Sequence, residues 1–398
     1  MPASAPNSQQ EMRRRNLSRV LHAVAEEGPL SRAGAAARIG LTRAAVSTLV
    51  EELLRGGLLV ELGPGRTGGV GRPGHALDVG ERGPCGLGAD IGVDRLAVCA
   101  LDLRGRVRAR AEVEGDHRDS DPDHVLARLS GLVDQVVQEA SGAGLTPAGL
   151  AVAVPGLVGL DTTSVVRTPN LRWPVTDLRP HLQRTLPLTV GNEADFGALA
   201  ELRLGHDVAQ DDFVHVSARI GIGGAVVLGG ALLRGSRGFA GELGHIPVHP
   251  DGRACGCGGR GCLERYAGEE AVLSAAGLPA GTGSTRSRTA VLRRRAADGD
   301  PAALRALRGA GRALGIALAG TVNLLDPRAV VLGGELAVLG RFLLPPLAEE
   351  LERRQAAPGP VPRLLVSAVG TDGPLLGAAG SVVGAVLDDP MAYAPRTA

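Results

Sequence analysis

Apolar positions in the first eighty residues recur with the period of helices that share one core. Leu17, Val20, Leu21 and Val24 fall at i, i+3, i+4 and i+7, which predicts a helix from Glu11 that Gly28-Pro29 ends. Ser31 is placed to cap a short Ala-rich helix ending at Gly40, and Thr42 to cap a third. In that third helix Val46, Leu49, Val50, Leu53 and Leu54 share one face, and Gly56-Gly57 stops it. Leu58-Leu59-Val60 and Ala76-Leu77-Asp78-Val79 then read as two short strands around a Gly/Arg loop. Residues 1–10 are polar with Pro and Ser, and read as a disordered tail before a first domain at 11–82.

After Pro84 the pattern changes to strands. Gly86 to Ile91, Arg95 to Leu103 and Val107 to Val113 read as three, with Arg104-Gly105 turning between the last two. Pro122 to Ala140 reads as a helix with Val125, Leu129, Leu132, Val133 and Val136 inward, and Leu150 to Val154 as the next strand. A comparable order returns later: strands Phe213 to Ser217 and Ala225 to Leu228 with Gly229-Gly230 as hairpin turn, a long helix Pro301 to Leu325, and strand Ala329 to Leu332. This weak internal duplication predicts two α/β halves facing each other across a ligand cleft, an actin-like body over residues 83–398. The Gly/Ser/Thr-rich stretch Gly277 to Thr289 reads as a mobile surface loop.

Composition adds bounds. The 398 residues suit two or three domains, and 44% apolar residues suffice for cores built on Leu, Val and Ala, because aromatics are only 2%. Net charge of +1 excludes no partner class. Every basic side chain is Arg, a compositional bias before it is a functional signal. No apolar run is long enough to span a bilayer and no signal peptide opens the chain, so a cytoplasmic protein with no membrane partner is expected. Cys85 and Cys99 lie in apolar runs and read as buried thiols of a reducing compartment.

The other three cysteines carry chemistry. His245 is followed after nine residues by Cys255-Gly256-Cys257-Gly258-Gly259-Arg260-Gly261-Cys262, then Leu263-Glu264. One imidazole and three thiolates are the donors tetrahedral zinc prefers, and the glycines let the backbone turn tightly enough to converge them. No donor is left over for an open position, so His245, Cys255, Cys257 and Cys262 read as a structural zinc clamp, disulfides or free thiols being the alternative.

Helix, short helix, Gly turn, helix and a two-stranded wing describe a winged helix-turn-helix. A helical dimerisation module or a plain three-helix bundle is the alternative. In the DNA-binding reading Thr42, Arg43, Ala44 and Ser47 lie opposite most of the apolar stripe, where the helix meets major-groove base edges of a double-stranded operator. Arg43 suits guanine, Ser47 a base or phosphate. Arg66 and Arg72 on the Gly63 to Gly74 loop suit the minor groove, and Arg13 to Arg15 suit phosphates or a solvated helix start.

The run from Gly244-His245 through Cys255-x-Cys-Gly-x-x-Gly-Cys-x-Glu264 resembles the signature of the ROK family, the repressors, open reading frames and sugar kinases. Gly71-Arg72-Pro73 is similar to the family's wing-to-body junction, Thr168-Pro169-Asn170-Leu171 to its segment beside the cleft, and Asn192-Glu193-Ala194-Asp195 to its Asn-Asp-Ala-Asn. The resemblance implies sugar contacts at Asn170, Asn192, Glu193, Glu242, His245 and Glu264. A helix N-cap is the plainer reading of Asn192, and loop packing that of Trp173, the only Trp.

The family holds kinases and regulators, and three positions separate them here. The family's catalytic Asp is Glu193, one methylene longer; a misplacement near 1 Å costs on the order of 100-fold in rate. Asp94 stands where kinases place Thr on the first phosphate loop; two like charges about 5 Å apart at an effective dielectric near 20 repel by roughly 3 kcal/mol. Ile220 stands for Thr in the second loop and offers no hydroxyl, although the neighbouring Arg219 suits some anion. The expectation is therefore no catalytic residue: a sugar-responsive DNA-binding regulator, a repressor of carbohydrate-utilisation genes acting as a homodimer on a roughly palindromic operator. The alternative is an ATP-dependent sugar kinase with an accessory DNA-binding head.

Overall fold

The computed structural model describes residues 8–64, 75–182, 186–205, 211–279 and 283–393. The N-terminal unit is built from α1 (Ser8–Glu27), β1 (Leu30–Ser31), α2 (Arg32–Ile39), α3 (Arg43–Arg55), β2 (Leu59–Pro64) and β3 (His75–Val79). Its caps are those the side chains dictate. Ser31 Oγ accepts from the Gly34 amide, Gly40 closes α2 at φ 69°, and Thr42 accepts from the Ala45 amide. Leu17, Val20, Leu21, Val24, Val46, Leu49, Val50 and Leu53 are buried in one cluster, while Leu54 is partly covered. The strands form a sheet in the order β1-β3-β2. The first helix begins at Ser8, three residues before the expected start and inside the expected tail.

The body opens with β4 (Gly83–Ile91), β5 (Arg95–Leu101), β6 (Val107–Glu114), α4 (Pro122–Gly142) and β7 (Leu145–Val154). A small sheet of β8 (Leu157–Val158), β9 (Ser164–Arg167) and β10 (Thr176–Asp177) leads through α5 (Arg179–Leu182) to β11 (Leu188–Asn192) and α6 (Glu193–Leu204). The second half carries β12 (Phe213–Ala218), β13 (Ile222–Leu228) and β14 (Ala231–Leu232), then α7 (Glu264–Ala267), α8 (Glu269–Ala275), α9 (Thr285–Ala297) and α10 (Pro301–Leu325). It ends with β15 (Ala329–Gly333), α11 (Gly334–Arg354), β16 (Arg363–Val366), α12 (Gly373–Asp388) and α13 (Pro390–Tyr393).

The expected duplication is present as topology. One sheet runs β11-β7-β4-β5-β6, the other β14-β13-β12-β15-β16. In each, a three-stranded antiparallel meander adds two parallel strands beside its first strand. The parallel strands' carboxyl ends face the space between the lobes, where open α/β sheets bind ligands. Residues Asp90, Pro155, Asn192, Arg219 and Gly334 all lie at or just past those ends.

Some local expectations needed correction. Gly229-Gly230, both at positive φ, joins β13 to β14; the β12–β13 hairpin turns at Arg219-Ile220-Gly221 instead. The stretch read as a loop to Thr289 is helical from Thr285, because Ser284 caps it and Thr285 and Thr289 are buried. Arg13 ion-pairs with Glu52 at 2.5 Å and Arg14 with Asp389, so intramolecular carboxylates already hold two of the three arginines read as phosphate contacts. Trp173 is 5% exposed in the first-lobe core, as loop packing predicts. Cys85 and Cys99 are buried thiols whose pKa burial pushes up to about 12. Among the described residues no helix is long and apolar enough to cross a membrane.

α12 joins the two units. Leu375, Ala378, Ala379, Val382, Val383, Val386 and Leu387 belong to the same buried cluster as the head's Leu17, Leu21 and Leu77. At its far end Asp388 lies 2.8 Å from His22 Nε2, and Asp389 pairs with Arg14. The head is thus packed onto the body along α12.

Candidate functional site

A cleft of about 600 Å³ opens between the lobes, within the usual range for a small-molecule site. Asn170, Asn192, Glu193, Glu242, His245 and Glu264 all line it, together with Arg167, Arg172, Gly221 and Cys257. The first six come from four separate stretches, which the topology brings together. Asn192 ends β11 and caps α6: its Oδ1 accepts from the Ala194 amide at 2.7 Å, and its Nδ2 donates to the Gly156 carbonyl at 2.8 Å. One amide hydrogen and one lone pair remain for a ligand. The capping role and a cleft-facing role therefore coexist.

Gly221 forms part of the floor. A Cβ there would lie 2.9 Å from Glu264 Oε2 and 3.8 Å from Asn170 Nδ2, so the glycine leaves room exactly where an acceptor and a donor converge. Burial pushes the Glu242 carboxyl up, His245 pulls it down, and Glu264 pushes it up again. A wall of carboxylates with an imidazole and two amides suits vicinal hydroxyls, which donate and accept together.

Beside this wall the Cys/His loop is folded by its own backbone. Cys255 N donates to the Gly259 carbonyl at 2.9 Å, and Gly261 N to Arg253 at 2.8 Å. Gly258 and Gly261 sit at φ 95° and 72°, where a side chain would be strained. The donor atoms of His245, Cys255, Cys257 and Cys262 lie within 4.8 Å of one another. Cys257 Sγ is 3.7 Å from Cys262 Sγ, and Cys255 Sγ is 3.8 Å from His245 Nδ1. A tetrahedral ion with metal–sulfur bonds near 2.3 Å needs sulfur–sulfur edges of about 3.8 Å, so this donor set fits a metal ion. With Nδ1 turned to the cluster, His245 Nε2 faces Glu242 Oε2 at 3.7 Å. The metal loop and the cleft wall thus share one imidazole.

Behind Glu193, in a neighbouring pocket lined also by Asp94, Arg95 and Thr285, Arg219 dominates. Its guanidinium is bidentate on Asp90, which is fully buried: Nη1 reaches Oδ1 at 3.1 Å, and Nη2 reaches Oδ2. Nη1 also stands 3.4 Å from Glu193 Oε2. Burial pushes the Glu193 carboxyl up while Arg219 pulls it down. Burial opposes the charge on Arg219, but Asp90 and Glu193 together more than offset it, and its pKa is raised. The sequence suggested an external anion for Arg219; its partners are internal carboxylates instead. Asp94 accepts from the Thr285 amide of the opposite lobe at 2.6 Å. Arg95 bridges Asp90 and Asp372 at 3.3 and 3.1 Å, and Arg110 holds Asp372 at 2.8 Å.

On the head, Thr42, Arg43 and Ala44 are exposed at the start of α3, and Ser47 is half-buried one turn on. Ser47 Oγ donates back to the Arg43 carbonyl at 2.9 Å. Among the described residues nothing pairs with the Arg43 side chain. Arg66 and Arg72 lie outside the described residues, as does Gly71-Arg72-Pro73. Sequence reasoning missed Gly221 as part of the cleft, and it read the run Asp90-Ile91-Gly92-Val93-Asp94 as a degraded phosphate loop without seeing that Asp90 is fully buried against Arg219.

Comparison with known proteins places this geometry. Residues 86–383 match the ROK family and residues 16–68 the MarR family. The xylose repressor of Bacillus subtilis is 30% identical over 378 residues, 94% of this chain and 96% of that protein. The glucokinase of Streptomyces coelicolor is 27% identical over 74% of this chain and 96% of its own. Among solved structures, a ROK family transcriptional regulator homologous to the E. coli MLC protein superposes with a TM-score of 0.77 at 28% identity, covering 95% of this chain and 97% of that one. A ROK family glucokinase from Streptomyces griseus, in complex with glucose and AMPPNP, gives 0.64 at 29% identity over 75% of this chain and 98% of its own.

Proposed function

The chain belongs to the ROK family, and from that premise we propose that it is a sugar-responsive, DNA-binding transcriptional repressor. The observation that carries the reading is the exposed N-terminal face of α3, set in a winged-helix head whose core runs into the body through α12. The relatives agree: the repressor matches along 94% of the chain, whereas the glucokinase is almost wholly covered yet leaves about a quarter of this chain without a counterpart.

In this reading residues 11–82 form the DNA-binding domain and 83–398 the sugar-binding body. Thr42, Arg43, Ala44 and Ser47 meet base edges in the major groove, and Arg66 and Arg72 enter the minor groove. Asn170, Asn192, Glu193, Glu242, His245 and Glu264 hold the effector, a pentose or hexose. Zinc, held by His245, Cys255, Cys257 and Cys262, would fix the Glu242–Glu264 loop against the cleft; it supplies structure, not a nucleophile. The protein works as a cytoplasmic homodimer on a two-fold operator, and effector acts by its differential affinity for two arrangements of the lobes.

Phosphoryl transfer is not part of the proposal. Glu193 stands opposed to Arg219, Asp94 is committed to the Thr285 amide, and Ile220 has no hydroxyl. The test is calorimetry with d-xylose and d-glucose, joined to gel-shift assays on duplexes flanking the protein's own gene. Sugar heat together with a sugar-dependent shift is expected. Turnover in a coupled ATP assay, with no duplex bound, would instead favour the kinase.

A further inference from the structure

The contacts of Arg219 reach beyond a lost nucleotide site. This residue follows β12 in the second lobe, whereas Asp90 ends β4 in the first and Glu193 opens α6, which crosses between them. The guanidinium approaches the loop after Asp90. A Cβ on Gly92 would come 2.9 Å from Arg219 Nη1, so the glycine lets the cation settle there without displacement. Asp90 is fully buried, and its other cationic neighbour, Arg95, is shared with Asp372. Without Arg219, a buried carboxylate in the seam would lose its bidentate partner, and Glu193 Oε2, which has no hydrogen bond, would lose the one counter-charge at contact distance among the described residues.

We propose that Arg219 is a resident guanidinium ligand: it occupies a carboxylate-lined subsite formed by Asp90, Gly92 and Glu193, ties the two lobes beside the cleft, and positions Glu193 as an acceptor for the effector. The subsite is therefore specific for a planar guanidinium cation supplied by the chain itself. Effector binding acts on a pair of lobes already pinned at this point, so closure turns about the tether. The role assigned to Glu193 rests on the sugar-binding reading; the tether does not.

The experiment removes the side chain and returns its head group. In the Arg219→Ala full-length protein the vacated subsite should take free guanidinium, so thermal unfolding is followed with guanidinium chloride up to about 20 mM, against sodium chloride at equal ionic strength, where a ligand of the folded state raises the midpoint. A saturable rise in Arg219→Ala, absent from wild type, is expected; identical responses in the two proteins overturn the proposal. Should Arg219→Ala not fold, Asp90→Asn keeps the shape and removes the anchor charge. Hydrogen exchange in 90–94 and 219–223 should then quicken by roughly tenfold or more, and unchanged exchange overturns the tether. Calorimetry with d-xylose and d-glucose separates the two readings. If guanidinium rescues Arg219→Ala while neither protein binds either sugar, the tether stands and the effector reading fails. If wild type and Arg219→Ala bind a sugar equally, with or without guanidinium, Arg219 does not position Glu193.

Discussion

His215 offers the sharpest quantitative test of how the lobes are joined. It sits on β12, 2% exposed, with its ring pressed between two backbones. A Cβ on Gly197 of α6 would lie 2.7 Å from Nε2, and one on Gly333 of β15 would lie 2.8 Å from the same atom. Nδ1 has no hydrogen-bond partner, and burial pulls the pKa from 6.5 down to about 4. The folded state therefore resists a proton that the unfolded chain accepts. A depressed base leaves stability intact above the unfolded pKa and removes it as pH falls from 6.5 toward 4. Linkage gives a loss of about 2 kcal/mol between pH 7 and pH 4.5 from this side chain alone. The perturbation is His215→Leu, which fills similar space and cannot titrate. Urea denaturation of both proteins at the two pH values is the assay, and the difference between their stabilities should change by about 2 kcal/mol in favour of the variant at pH 4.5. A constant difference would refute the reasoning: it would mean the ring is hydrated, or protonated in place.

Arg43→Ala should weaken operator binding by about 1–3 kcal/mol and relax base preference in a gel-shift competition, whereas Arg13→Ala, whose partner is Glu52, should leave base preference unchanged. Purified protein should carry about one zinc per chain by mass spectrometry, and Cys257→Ser or chelator should lower both the metal content and the thermal midpoint; a metal-free wild type with an unchanged midpoint contradicts the clamp. Gly221→Ala places a methyl 2.9 Å from Glu264 Oε2 and should cut sugar affinity by roughly tenfold, seen by calorimetry, while the melting curve hardly moves.

The head was the most legible part, because its signals are local. Ser31, Thr42 and Gly40 specify helix ends by their own hydrogen bonds and φ, and the apolar stripes needed only periodicity. The metal loop was legible because four donors lie within eighteen residues of chain. Other features depended on distant partners. β1 is two residues long and exists only because β3 pairs with it. Thr285 and Thr289 look like loop residues until Ser284 is seen to cap a helix that carries both on its buried face. Arg219 read as an anion receptor because its internal partners, Asp90 and Glu193, lie 129 and 26 positions away in the chain. Which charges meet across a two-lobed fold is a property of the seam, and no window of sequence spans it.

The shared packing of α12 has a consequence for how the molecule comes apart. Because Leu375 to Leu387 complete the interior of both units, among the described residues the head's hydrophobic nucleus is continuous with that of the body. Calorimetric melting should give one endotherm, not two, and a clip in α12 should loosen the grip on the operator at the opposite end of the chain.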